Sequence, residues 1–145
     1  MREFVIHTDG GSRGNPGPSA IGVVIADGGG KTVKEYHQFL GTGTNNTAEY
    51  AAVIFALKKL KALVGKENVK AASVQFYLDS ELVVKQLNGI YKLEDPQVQK
   101  NFIEIWNLRI GFGKVTFTHI PREQNKRADA LVNVALDAAA GGGLV

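Results

Sequence analysis

The chain has 145 residues, 44% hydrophobic and 21% charged, with 17 Lys and Arg against 14 Asp and Glu for a net charge of +3. That is the length and composition of one ordinary folded domain and excludes a collagen-like, coiled-coil or disordered chain. There is no cysteine, which removes disulfides, iron–sulfur clusters and cysteine-ligated zinc, and no apolar run approaches the roughly 20 residues that span a bilayer.

The opening MREFVIHTDGG holds an apolar run too short for a signal peptide, so the expectation is a soluble cytoplasmic protein. Residues 2–8 read as a strand, and the run DGGSRGNPGPSA as a tight connection. Residues 20–27 (AIGVVIAD) form a second strand and 31–40 (KTVKEYHQFL) a third, an antiparallel meander joined by short turns. The pattern then changes period. Val53, Ile54, Leu57, Leu60 and Val64 recur at helical spacing, and Gly65 is a stop.

Residues 72–79 (ASVQFYLD) alternate as a fourth strand, and SELVVKQLNG at 80–89 reads as a short helix. Pro96 opens a helix running to about Arg109, GKVTFTHI at 113–120 is the fifth strand, PREQNK is a loop, and RADALVNVALDAAA is the last helix. The order predicts an α/β fold. Strands 1–3 are antiparallel, and strands 4 and 5 follow helices and so join the same sheet parallel to strand 1. One domain over residues 1–140 is expected, with 141–145 a flexible tail.

Four acids fall at telling places. Asp9 ends strand 1, Glu49 lies in the first turn of the first helix, Asp79 ends strand 4, and Asp129 lies near the start of the last helix. Ligands of open sheets bind beyond the carboxyl ends of parallel strands, so all four can converge on one edge. Each also has a structural reading. Asp9 can start a turn, Glu49 can form a capping box with Asn46, Asp79 can cap the next helix, and Asp129 suits a helix dipole. Together they would repel one another and take up protons unless hard divalent cations, which prefer oxygen ligands, neutralised them. With only His7, His37 and His119 to offer nitrogen, a zinc hydrolase is disfavoured. A metal-dependent nuclease is the expectation, because two such ions can activate water at a phosphodiester.

The segments TDGGSRGNPGPSAIGVVI, TNNTAEYAAVIFAL, FYLDSELVVKQLNG and THIPREQNKRADALVNVA resemble type 1 ribonuclease H, in order and over most of the chain. The resemblance implies a mixed five-stranded sheet flanked by helices. It implies hydrolysis of the RNA strand of RNA–DNA hybrids by a monomer using two Mg²⁺ ions, with Mn²⁺ as a substitute, leaving 5′-phosphate and 3′-hydroxyl ends. Asp9, Glu49, Asp79 and Asp129 match the metal-holding acids. Asn15 and Thr44 match contacts to a phosphate of the DNA strand, whereas Asn45 and Asn46, with the backbone at Gly10 and Gly11, match contacts to the RNA strand. Ser80 matches a minor-groove contact.

Two departures stand out. Many relatives carry a histidine in the loop before the last helix, whereas PREQNK has none. Arg122 is expected to serve there instead, as a fixed charge, and His119 to pack on the face of Val115 and Phe117. A basic protrusion found in some relatives is replaced by NGIYKLEDP. This leaves double-stranded RNA open as a second substrate. Lys85, Lys92, Lys100, Lys126 and Arg127 are the remaining basic candidates, Tyr91 a stacking candidate, and Trp106 is expected in the core. Integrases, transposases and resolvases share the architecture but match only in outline, and a binding module that had lost catalysis would lack an acid. The glycine-rich GGSRGNPG has neither the Lys-Ser/Thr ending of a P-loop nor dinucleotide-binding spacing.

Overall fold

The computed structural model describes residues 2–142. In chain order these form β1 (Arg2–Ser12), β2 (Gly17–Asp27), β3 (Thr32–Gly43), α1 (Asn45–Val64), α2 (Lys66–Val69), β4 (Ala72–Leu78), α3 (Glu81–Leu87), α4 (Pro96–Ile110), β5 (Lys114–His119), a 3₁₀ turn (Arg122–Gln124) and α5 (Lys126–Gly142). The sheet runs β3-β2-β1-β4-β5, antiparallel from β3 to β1 and parallel from β1 through β4 to β5.

Burial follows from this order. β2 lies between α1 and α5, so its residues Ser19–Ile25 are buried on both faces. β4 alternates buried and half-buried residues because one face alone meets the core. β3 lies at the edge and is largely exposed. The main core joins Phe4 and Ile6 of β1, Phe76 and Phe117 stacked at 5.3 Å, and Tyr50, Val53, Leu57 and Leu60 of α1, with Val98 and Ile105 of α4 closing it. A smaller cluster of Ala20, Val132, Ala135 and Leu136 seats α5 on the opposite face.

Two glycines let the helices approach closely. A Cβ on Gly10 would fall 2.2 Å from the Ala48 carbonyl carbon of α1, and one on Gly22 would fall 2.2 Å from the Ala128 carbonyl oxygen of α5. Gly10 follows Asp9, and Gly22 is the partner of Asp9 across the β1–β2 pair. Both helices therefore rest on the sheet beside Asp9.

Several boundaries differ from the sequence expectation. β1 runs through Asp-Gly-Gly to Ser12, which pairs with Ser19, so the turn shrinks to Arg13–Pro16 and closes with Arg13 N–H donating to the Pro18 carbonyl at 2.8 Å. The strand is held by its partner despite its glycines. β3 likewise continues to Gly43, α2 is an added single turn, and the PREQ segment winds into a 3₁₀ turn. Helix α5 extends through Gly141 and Gly142, where a flexible tail was expected, and residues 143–145 of that tail lie outside the described residues. Trp106 is 51% exposed and not in the core, because α4 packs against α1 and its inward side is filled by Val98 and Ile105. Among the described residues no helix is long and apolar enough to cross a membrane.

Candidate active site

Asp9 lies within β1, and Asp79 stands one residue beyond the end of the adjacent parallel strand β4, whose register with β1 closes at Thr8 and Leu78. Glu49 comes from the second turn of α1 and not the first. Helix α1 is capped by Thr44, whose hydroxyl accepts from Thr47 N–H at 3.1 Å while the Thr47 hydroxyl accepts from Thr44 N–H at 3.1 Å. This reciprocal box leaves Glu49 free of any capping duty. Asp79 is free too, since Ser80 caps α3 by accepting from Val83 N–H at 3.3 Å. Two of the structural readings of these acids thereby fall away.

Asp9, Glu49 and Asp79 each present a carboxylate oxygen within 4.8 Å of the others. Asp129, in the first turn of α5, stands outside that group of three and acts on Asp9 as a neighbouring negative charge. The cluster is buried as well as crowded, with Asp9 3% and Glu49 6% exposed. Burial, reinforced by the charges of Asp79 and Asp129, pushes Asp9 up to about 7. Burial first, then Asp9, raises Glu49 well above the usual carboxylate range, even though the Gly10 backbone N–H opposes the rise. Glu49 Oε2 is buried with no hydrogen-bond partner. An all-oxygen donor set that resists ionisation and carries an unpartnered oxygen is the environment a hard divalent cation satisfies.

Asn125 is a member that sequence reasoning passed over. It is 1% exposed, and its amide donates to the Thr8 carbonyl at 2.9 Å and to Asp79 Oδ2 at 3.1 Å. Its backbone carbonyl accepts from Asp129 N–H at 3.1 Å. One residue thus ties the strand that carries Asp9, the Asp79 carboxylate and the helix that carries Asp129. The available signal was an amide four residues before an acid at a helix start, a spacing that also reads as an ordinary cap.

A cleft of about 320 Å³ adjoins the acids, lined by Gly10, Asn15, Asn45, Asn46, Glu49, Ser80, Leu82 and Arg122. The two outer asparagines are interlocked. Asn15 Oδ1 accepts from Asn45 N–H at 3.0 Å, and Asn45 Oδ1 accepts from Ser12 N–H at 2.9 Å. Their oxygens being engaged, both residues have their NH₂ groups left to offer, donors suited to phosphate or hydroxyl oxygens. Thr44 stands beside the cleft as the cap of α1, and Gly11 on β1 backs Val132 of α5. A larger cavity of about 430 Å³ between Trp106 and Thr116 holds no acid.

Arg122 reaches the cleft, whereas His119 does not line it. His119 is exposed at the end of β5, contrary to the expected packing with Val115 and Phe117, because the strand ends there. Ile120 takes the buried place, with its N–H bonded to the Leu78 carbonyl at 2.9 Å. Of the basic candidates, Lys85 is held by Glu81 at 2.7 Å and lies over the Tyr91 ring, and Arg127 pairs with Glu35 through two bonds of 2.7 and 2.8 Å.

A mixed β3-β2-β1-β4-β5 sheet with one carboxylate on β1 and another just past the adjacent β4 defines the ribonuclease H-like class of proteins. The family described as reverse transcriptase-like matches residues 7–135. Ribonuclease HI of Halobacterium salinarum is 44% identical over 89% of this chain, which spans 62% of that protein's length. Ribonuclease H of Paracidovorax citrulli is 36% identical over 97% of this chain and 99% of its own length. Among solved structures, LC11-RNase H1, isolated from compost and seen in complex with an RNA/DNA hybrid, superposes with a TM-score of 0.89 at 43% identity, over 94% of this chain and 99% of that one. The chain belongs to the type 1 ribonuclease H family.

Proposed function

We propose that this protein is an endoribonuclease that hydrolyses the RNA strand of RNA–DNA hybrids, acting as a monomeric single domain with two divalent cations, Mg²⁺ with Mn²⁺ as substitute. The observation that carries the reading is the meeting of Asp9, Glu49 and Asp79 within 4.8 Å beside a cleft lined by amide and hydroxyl groups. Asp9, Glu49, Asp79 and Asp129 would hold the cations, which when bound supply charge neutralisation and activation of water at the scissile phosphate.

The chain's own groups place the substrate. Asn45, Asn46 and the backbone at Gly10 and Gly11 face the RNA strand, where the 2′-hydroxyl distinguishes RNA from DNA and an amide NH₂ can donate to it. Asn15 and Thr44 take a phosphate of the DNA strand and so fix the register of the hybrid. Ser80 adds a groove contact while capping α3. Arg122 stands over the cleft as a permanent positive charge near the phosphate under attack. Water adds to phosphorus and the bond to the 3′ oxygen breaks. The leaving oxygen gains a proton, giving 3′-hydroxyl and 5′-phosphate ends.

The test is cleavage of matched RNA–DNA hybrid, RNA duplex and DNA duplex with Mg²⁺ or Mn²⁺. Hybrid cleavage leaving 5′-phosphate ends, abolished by chelator and by Asp79→Asn in a variant with wild-type melting, is expected. Activity in chelator, or full activity of Asp79→Asn, overturns the mechanism. Equal cleavage of the RNA duplex overturns the hybrid specificity.

A further inference from the structure

Tyr50 is fully buried and its hydroxyl donates to Gln86 Oε1 at 2.7 Å, inside the core. Gln86 is 8% exposed and lies on α3. Neither residue lines the cleft. Phe and Leu would fill the same space without desolvating a hydroxyl and an amide. The net gain from such a bond is small, so stability alone is a weak reason for a polar pair here. A buried directional bond does supply a fixed separation between the elements that carry it.

The elements in question carry two of the acids. Tyr50 follows Glu49 in α1. Gln86 sits in the helix that Ser80 caps and that begins two residues after Asp79. The far end of that helix is anchored too, since Asn88 Nδ2 donates to the Phe117 carbonyl of β5 at 3.1 Å. The ring closed by this bond runs from Glu49 to Tyr50, across to Gln86, back along α3 to Asp79, and across the site to Glu49.

We propose that Tyr50 and Gln86 are positioning residues, whose hydrogen bond sets the distance between the Glu49 and Asp79 carboxylates and so tunes the site for a divalent cation. The inference rests on the metal-holding reading above. Both are tested by titrating Mn²⁺ alone, without substrate, into chelator-stripped protein by calorimetry, alongside thermal melting. Wild type should bind and Asp79→Asn should bind far more weakly, which checks the metal reading itself.

Tyr50→Phe strands the Gln86 carbonyl and should melt lower, with Mn²⁺ affinity reduced about 10-fold, the scale at which an outer partner affects a metal site. The double variant Tyr50→Phe with Gln86→Leu replaces both partners by apolar groups and should melt near wild type while keeping the weakened Mn²⁺ binding. Recovery of both melting and binding in the double variant overturns the proposal, as does wild-type affinity in Tyr50→Phe. If Tyr50→Phe fails to fold, the double variant alone decides. Absence of Mn²⁺ binding in wild type overturns the metal reading and this proposal together.

Discussion

Replacing Asp9 by Asn should make the metal-free protein more stable while abolishing catalysis. Asp9 titrates at about 7 in the folded chain, against an ordinary value of 3.8. At about 1.4 kcal/mol per pH unit, holding this carboxylate ionised in the fold costs about 4 kcal/mol once the pH exceeds both values. The sign follows from proton uptake. Between 3.8 and about 7 the folded state binds the proton and the unfolded state has lost it, so stability falls as pH rises through that window. An amide of the same shape carries no charge to desolvate. The gain from Asp9→Asn should therefore be near zero at pH 4 and about 2–4 kcal/mol at pH 8, or roughly 6–15 °C in Tm for a chain of this length. Part of the burden is shared with Glu49, which touches Asp9 and is raised for the same reason, hence the lower bound. Melting in chelator at both pH values checks this. An equal gain at pH 4 and pH 8 would refute the electrostatic account, and so would no gain at pH 8. Added Mg²⁺ should then raise the Tm of wild type and leave the variant nearly unmoved, the pattern of a site where function is bought with stability.

Arg122→Ala should lower turnover on hybrid more than His119→Ala, because Arg122 lines the cleft and His119 sits outside it; reversed or equal effects in steady-state kinetics would remove Arg122 from the reaction. Gly10→Ala should destabilise the fold by about 1–3 kcal/mol or more, since its Cβ meets α1 backbone at 2.2 Å and that helix must lift off the strand, with a matching fall in activity as Glu49 retreats. Urea denaturation and hybrid cleavage on the same preparation measure the two effects.

The sheet and the acids were legible in the sequence for one physical reason: local chemistry and global topology agree there. Apolar alternation at ASVQFYL marks β4, helical spacing from Val53 to Val64 marks α1, and each acid lies on or next to the element that delivers it. What was not legible depends on contacts between distant segments. Asn125 has the look of a helix cap until Thr8 and Asp79 are brought to its amide. Thr44, Asn45 and Asn46 are all good capping residues, and the choice of Thr44 is decided by its reciprocal bond with Thr47. Trp106 is apolar at a helical spacing, but spacing does not say that α4 is covered on one side alone. His119 would have continued an alternating strand had β5 not ended there. The extension of β1 across Asp-Gly-Gly comes from its pairing with β2, which no property of those three residues encodes.

The parallel pairing of β1 with β4 has a kinetic consequence. Residues 2–8 must find residues 72–78 across an intervening meander and helix, a contact of long sequence separation that forms slowly. The like charges of Asp9 and Asp79 come together only at that closure, and Asp129 joins them only where α5 has docked on the opposite face. Repulsion among the acids is therefore absent from the early, locally paired β1–β3 meander and felt in the native state. Neutralising an acid should slow unfolding more than it speeds folding, and a chain still lacking its last helix holds an incomplete set of carboxylates.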